Sequence, residues 1–343
     1  MTIKNVQQAF EKFEADSVRV PDEENKAAKE VHPEICETVK RELEHHVDTF
    51  LSGSYSRRVQ EGHLRDVDVI VVLDDPDGKY ADSADAALED IRDAASESEL
   101  VRRTRKRVRA VKLFLHGHKL TVERLALNGH EFTVDLVAAL RPASGNGLLL
   151  ARHLPDEGYD DWQILDPEGQ RQAATDKNEQ CGDMYIPAVR IVKYWNRGEG
   201  KPLRSYHAES ILWHALTGSV DYAEAMVKFF DAAYDALAPS MRTSDPGVPN
   251  SYVDERLEAD ERAAARVKVE KAREAAHAAY EAEDLGEALD GWVEVFGSSF
   301  PAPSTTPEQI AAALGSGGAG VVGPGIQTGG GRQGIKPRSW RER

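Results

Sequence analysis

The stretch FLSGSYSRRVQEGHLRDVDVIVVL constrains this chain more than any other. A Gly53-Ser54 pair follows a short apolar piece, and after eleven intervening residues Asp66-Val67-Asp68 opens the β-branched run VDVIVVL. Such a run predicts a buried strand over 67–73. Strand alternation puts Asp66 and Asp68 on one face and Val67 on the other. Two carboxylates on one strand edge form an oxygen clamp suited to Mg²⁺. Gly53 would let backbone approach phosphates closely, and the Ser54 hydroxyl could hold their oxygens. Two-ion phosphoryl chemistry needs a further carboxylate. FTVDLVAAL supplies one, because Asp135 stands between Val134 and Leu136 in an apolar strand. A lone buried acid is costly unless something compensates it. A neighbouring strand carrying Asp66 and Asp68 around shared cations would do so. An isolated D-x-D is usually only a pair of solvated acids at a strand end, so the inference rests on the joint pattern.

Around this stretch the periodicities predict helices over 3–15 and 22–47, a short strand at 49–51 and an Ala- and acid-rich helix over 81–98. Strands are expected at 108–115, 118–127 and 130–140, with Asn128-Gly129 as a hairpin signal. From 150 onward a Pro/Asp/Gly-rich loop (153–170) leads into helices near 183–197, 205–218 and 221–237. A long helix follows over 253–282, with Val253, Leu257, Ala264, Val267 and Ala275 as its apolar stripe. The sequence GSGGAGVVGPGIQTGGGRQG cannot bury enough apolar surface to fold alone and reads as a flexible tail. The expectation is an α+β chain in two lobes: a mixed-sheet core over 1–150, a helical lobe over 151–300 and a Gly-rich tail over 301–343.

Composition narrows the function. The formal net charge is −16 over 343 residues, which disfavours a protein built mainly to grip duplex nucleic acid through Lys and Arg. A small-molecule substrate or a protein partner fits better. The two cysteines, Cys36 and Cys181, are far apart and form no zinc spacing. With no apolar signal segment at the start and no run of 18 apolar residues, a cytoplasmic protein without a membrane span is expected.

The order Gly-Ser, Asp-x-Asp and a later strand Asp resembles the polymerase-β-like nucleotidyltransferase superfamily. The downstream segments WQILDP, Asn178, AVRIVKYWN, LRSYHAESI and WVEVFGSSFP narrow this. In that order they resemble the CD-NTases, bacterial relatives of cyclic GMP–AMP synthase and oligoadenylate synthase from CBASS anti-phage operons. The resemblance covers about residues 45–300. It implies a two-lobed enzyme joining NTPs, ATP among them, into a cyclic di- or trinucleotide. Two Mg²⁺ ions, with Mn²⁺ as a substitute, would sit on Asp66, Asp68 and Asp135. Lys193 would grip the donor triphosphate, Ser205 would add a hydroxyl to the same phosphates, and Tyr206 would stack on a nucleobase. A regulatory protein partner encoded in the same operon is also implied. Direct activation by DNA is not, because the zinc-insertion pattern of the animal enzymes is absent.

Plainer readings compete. Lys193 could be an ordinary exposed lysine, Ser205 a helix N-cap and Tyr206 a core aromatic. An RNA-tailing or tRNA nucleotidyltransferase would share the core, and a catalytically inactive nucleotide-binding scaffold would share the fold. His45-His46 and His116-Gly117-His118 read as surface or core residues, and the basic run 102–109 as local charge balance.

Overall fold

The computed structural model describes residues 3–98, 113–116, 119–127, 130–142, 147–154 and 159–301. The basic run at 102–109 and the tail from 302 lie outside them. The first lobe is built on one mixed sheet. β1 (His46–Leu51) pairs antiparallel with β2 (Asp66–Leu73), and β2 runs parallel to β5 (His130–Leu140). β4 (Lys119–Leu127) and β3 (Leu113–His116) follow antiparallel beyond β5. The last residues of β5 also pair with β6 (Leu148–Leu154), which pairs with β7 (Tyr159–Leu165). Between the parallel strands β2 and β5, the chain makes the α4 helix (Ala84–Ser96).

Alternation decides what each sheet face does. Val67, Val69, Val71 and Leu73 of β2 and Val134, Leu136, Ala138 and Leu140 of β5 pack in one core with Ile35, Val39, Leu88 and Ile91. Those last four come from α2 (Asp22–Glu42) and α4. Ile70, Val72, Val137, Ala139 and Leu150 form a smaller apolar cluster on the opposite face. That second face begins, at the entrance to β2, with Asp66 and Asp68 in place of apolar residues. α2 ends at Glu42, short of the expected 47, because His46 already pairs with Leu73 in the β1–β2 ladder.

The second lobe is helical. It comprises α5 (Pro167–Gln180), α6 (Tyr185–Gly198), α7 (Ser205–Ala215), α8 (Tyr222–Ala236), α9 (Ala259–Glu281) and α10 (Leu285–Phe296). The N-terminal α1 (Val6–Phe13) belongs to this core. The Phe10 ring packs edge-on against Trp292 and Phe300, and Phe13 against Tyr194. A π-helical turn, Glu14–Val18, carries the chain out of α1. The fold is α+β and two-lobed, but residue 150 is not the seam: β6 and β7 extend the sheet to 165, while α1 joins the helices. The expected loop at 153–170 conceals both β7 and the start of α5, whose Asp166 accepts from the Gly169 amide as N-cap ahead of Pro167.

The long helix also differs from expectation. It starts at Ala259 behind a Glu258/Glu261 capping box. Its buried stripe is Ala265, Val269, Ala272, Ala276 and Ala279, whereas Val267 is 67% exposed. Small alanines allow close helix packing, so the apolar stripe is marked by size more than by hydrophobicity.

Candidate active site

Gly53 opens α3 (Gly53–Ser56), a single turn between β1 and β2. Its φ is +63°, and a Cβ added there would lie 2.0 Å from Asp68 Oδ2. The glycine is therefore needed for a left-handed backbone and for the close approach of the Asp68 carboxylate. The Ser52 amide donates to the Asp68 carbonyl at 2.9 Å, locking this turn to β2.

The carboxylates share one sheet face. Asp66 and Asp68 are half-buried with Val67 fully buried between them. In the parallel ladder Asp68 stands opposite Asp135, which is 3% exposed. Among the described residues no three His, Cys, Asp or Glu side chains converge closely enough to form a ready metal site. The backbone sets the three acids on two adjacent parallel strands, with Asp68 in register with Asp135.

A cavity of about 310 Å³ faces these acids. Gly53, Ser54, Asp66 and Asp68 line it from the sheet side, and Lys193, Ser205 and Tyr206 from the helical side. Seven of the eight residues singled out in the sequence thus meet in one cavity, with Asp135 behind Asp68 in register. Lys193 is not an ordinary exposed lysine: it is 8% exposed and its ammonium lies 3.5 Å from Glu209 Oε1. Ser205 is not the N-cap, a position held by Arg204, and stands exposed in the first turn of α7. Tyr206 is half-buried, lines the cavity and donates its hydroxyl to Asp245 at 2.7 Å. Burial, then the Asp245 charge, push that phenol well above its ordinary pKa, so it stays a neutral donor.

Arg57 and Glu209 complete this wall, and neither was assigned a role from sequence. Arg57 Nε donates to Glu209 Oε2 at 3.0 Å, with both side chains nearly buried. Burial alone would raise the Glu209 carboxyl. The Arg57 guanidinium and Lys193 ammonium overcome that and hold it below the usual carboxylate range. The Arg57 guanidinium also sits 5.0 Å from the centre of the Tyr206 ring. Three further cations, Arg65, Arg197 and Lys201, line the same cavity. Arg197 pairs at 2.6 Å with Glu61, which lines the cavity too, so cations and carboxylates are nearly balanced around it.

Other family-like segments build the scaffold. In KYWN, Trp195 packs on Phe229 and Phe230. Asn196 bonds both the carbonyl and the amide of Leu203 at 2.8 and 3.0 Å, which fixes the turn leading into Ser205. Asn178 likewise clamps the Ile186 amide and Asp183 at 2.9 and 2.7 Å. In FGSSFP, Phe296 and Phe300 stack on each other and both meet the Phe10 ring edge-on.

A second cavity of about 610 Å³ adjoins the first and shares Gly53, Arg57, Asp68 and Tyr206 with it. Its floor includes Ile70, Val137 and Leu150 from the smaller apolar cluster, and Arg204 and Arg256 lie on its walls. Asp68 and Tyr206 therefore stand between two compartments.

No family model matches the chain. It is 29% identical over 161 residues to the cyclic AMP-AMP-GMP synthase of Enterobacter hormaechei subsp. hoffmannii, a match spanning 44% of this chain and 42% of that relative. The fold is similar to that of E. coli MS115-1 CdnC solved with HORMA-deltaN, with a TM-score of 0.68 at 19% identity over 86% of this chain and 98% of that one. It is also similar to the CD-NTase CdnG of Bradyrhizobium diazoefficiens solved with GTP, with a TM-score of 0.64 at 13% identity over 89% of this chain and 97% of that one. Among the described residues no helix is long and apolar enough to cross a membrane. The Gly-Ser turn, the Asp-x-Asp strand and the helical segments are thus joined on a fold shared with solved CD-NTases, and the chain spans under half the length of the cyclic nucleotide synthase it matches in sequence.

Proposed function

We propose that this chain is a metal-dependent nucleotidyltransferase that joins NTPs into a cyclic di- or trinucleotide for anti-phage signalling. The observation that carries the reading is the cavity in which Gly53, Ser54, Asp66 and Asp68 face Lys193, Ser205 and Tyr206. Hard carboxylate oxygens on one strand edge suit Mg²⁺, or Mn²⁺ in its place. Asp66, Asp68 and Asp135 would hold two such ions, which supply charge neutralisation at the phosphates and acidify the attacking hydroxyl. Lys193 would bind the donor triphosphate, helped by the Ser54 and Ser205 hydroxyls. Glu209 keeps the Lys193 ammonium at the cavity wall.

The larger compartment suits the acceptor nucleotide, because it shares Asp68 with the first. A ribose hydroxyl of the acceptor would form a bond to the donor α-phosphorus while the bond to the β-phosphate bridging oxygen breaks. Pyrophosphate leaves, and Asp135 would take up the hydroxyl proton. After one such step, or two for a trinucleotide, the free ribose hydroxyl of the linear product would attack the α-phosphorus at its triphosphate end, expelling a further pyrophosphate and closing the ring. Substrates would include ATP. A regulatory protein partner is part of this reading, supported by the HORMA complex of the E. coli neighbour. Activation by direct DNA contact is not part of it.

Two substitutions test the helical wall. Lys193→Ala is expected to weaken every NTP alike, because the triphosphate is common to all, and to lower kcat as charge grows on the leaving pyrophosphate. An affinity loss confined to one base would contradict it. Tyr206→Ala should cost about 1–3 kcal/mol of NTP binding through lost stacking. Tyr206→Phe keeps the ring but loses the bond to Asp245, so it should restore only part of that loss. Affinity and melting temperature are measured on the same variants. A destabilised Tyr206→Ala with unchanged affinity would remove the stacking role.

A further inference from the structure

The catalytic reading leaves unused a larger cavity, of about 680 Å³, beside the segment that follows α3. Arg19, Lys26, Lys29, Arg58 and Arg190 line it, with Tyr55 in its wall. Asp22 is the acid among the lining residues. Buried Glu14 pairs with Arg19 at 2.6 Å and with Arg190. Five cations therefore gather around two carboxylates in a chain of net charge −16. Lys26, Lys29 and Arg58 have no ion-pair partner among the described residues. Such uncompensated like charge is unfavourable unless an anion offsets it.

Two further features point to a ligand. Gln60 lines this cavity as well as the catalytic one, and its Nε2 is buried with no hydrogen-bond acceptor among the described residues. A buried donor of this kind calls for a missing partner. Arg58 holds a left-handed backbone at φ 60°, and its carbonyl accepts from Arg190 Nε at 3.0 Å. A non-glycine residue keeps such a conformation only where its surroundings impose it. The flanking residues are tied into the protein: Arg57 to Glu209 in the catalytic wall, and Val59 into the helical core.

We propose that this cavity binds a phosphate-bearing small molecule through Arg19, Lys26, Lys29, Arg58 and Arg190, and that occupancy is transmitted to the catalytic wall through residues 57–60. The cavity volume is that of a small-ligand site, and a predominantly acidic surface opposes a long nucleic-acid backbone. The proposal stands apart from the catalytic one, since none of its readouts requires turnover.

The test is calorimetric titration of the full chain with inorganic tripolyphosphate, without divalent metal and at low salt. K26E/K29E, two exposed positions on α2, should weaken binding by about tenfold or more, as expected for losing charge-assisted contacts. Lys193→Ala should leave this binding within about twofold, by the same reckoning of contacts kept. In the Lys193→Ala protein, tripolyphosphate should also slow amide exchange over residues 55–60. Unchanged melting of K26E/K29E shows that the effect is not unfolding. Absence of binding, or binding that survives K26E/K29E and disappears in Lys193→Ala, would overturn the site. So would a short RNA duplex that binds through these lysines more tightly than tripolyphosphate. Tripolyphosphate binding with unchanged exchange over 55–60 would overturn the coupling.

Discussion

Replacing Asp66 and Asp68 together with asparagine is expected to lower product formation by at least about a thousandfold, because charge stabilisation at a transferring phosphoryl group is among the largest catalytic terms. The fold should survive. Asparagine keeps the shape of the side chain that lies against Gly53, and both residues are half-buried rather than central to a core. Removing like charge from a face that also carries Asp135 should leave the melting temperature unchanged or slightly raised. Product formation and a thermal melt on the same preparation check both halves. Wild-type-like turnover by the double variant would end the metal-clamp reading. A large drop in melting temperature would mean that these acids hold the fold together.

The second large effect is on stability. Glu209→Ala should cost about 3–5 kcal/mol, because it leaves the buried Arg57 and Lys193 charges uncompensated. For a chain of this size, at about 2.1 cal/mol/K of unfolding entropy per residue, that is a fall in melting temperature of roughly 4–7 °C. Glu209→Gln keeps the volume and some hydrogen bonding but not the charge, and should fall between wild type and Ala. Lys193→Ala should be milder, since Glu209 retains its bonds to Arg57 at 3.0 and 3.4 Å. A Glu209→Ala protein melting within about 2 °C of wild type would show that water, not protein, compensates these charges.

The contrast between these two sites explains what could be read in advance. The Asp-x-Asp edge was legible because strand alternation is local: VDVIVVL alone dictates which side chains share a face. Its partner Asp135 was legible as a lone acid in an apolar strand, although its register against Asp68 is a property of the sheet. Arg57 and Glu209 are separated by 152 residues, and no local pattern links them. What could have flagged them is chemical: Glu209 is a lone acid in SYHAESILWHA and stands among the buried residues of its helix, where it needs a counter-charge. Tyr206 was read for its ring alone, while Asp245, which fixes its hydroxyl, lies in a proline-bearing loop without periodicity.

The lobe boundary failed for a related reason. Phe10 and Phe13 mark α1 as amphipathic, but amphipathicity does not say which core receives the helix. β6 and β7 were hidden because RHLPDEGYDD looks like a loop, and the strands are set by their pairing with β5 and with each other. On α9, the stripe drawn through Val267 gave way to one of alanines, since close packing selected small residues over apolar ones.

Two adjoining cavities that join nucleotides and close the product into a ring would leave a product with no terminal phosphate. Incubating the purified chain with Mg²⁺ and α-labelled NTPs, treating with phosphatase and resolving the products tests this most directly. The expected products are a small, phosphatase-resistant labelled species and one pyrophosphate per nucleotide incorporated, with neither formed by Asp66→Asn/Asp68→Asn. Label that enters product only when RNA is added, or label that stays wholly phosphatase-sensitive, would contradict it.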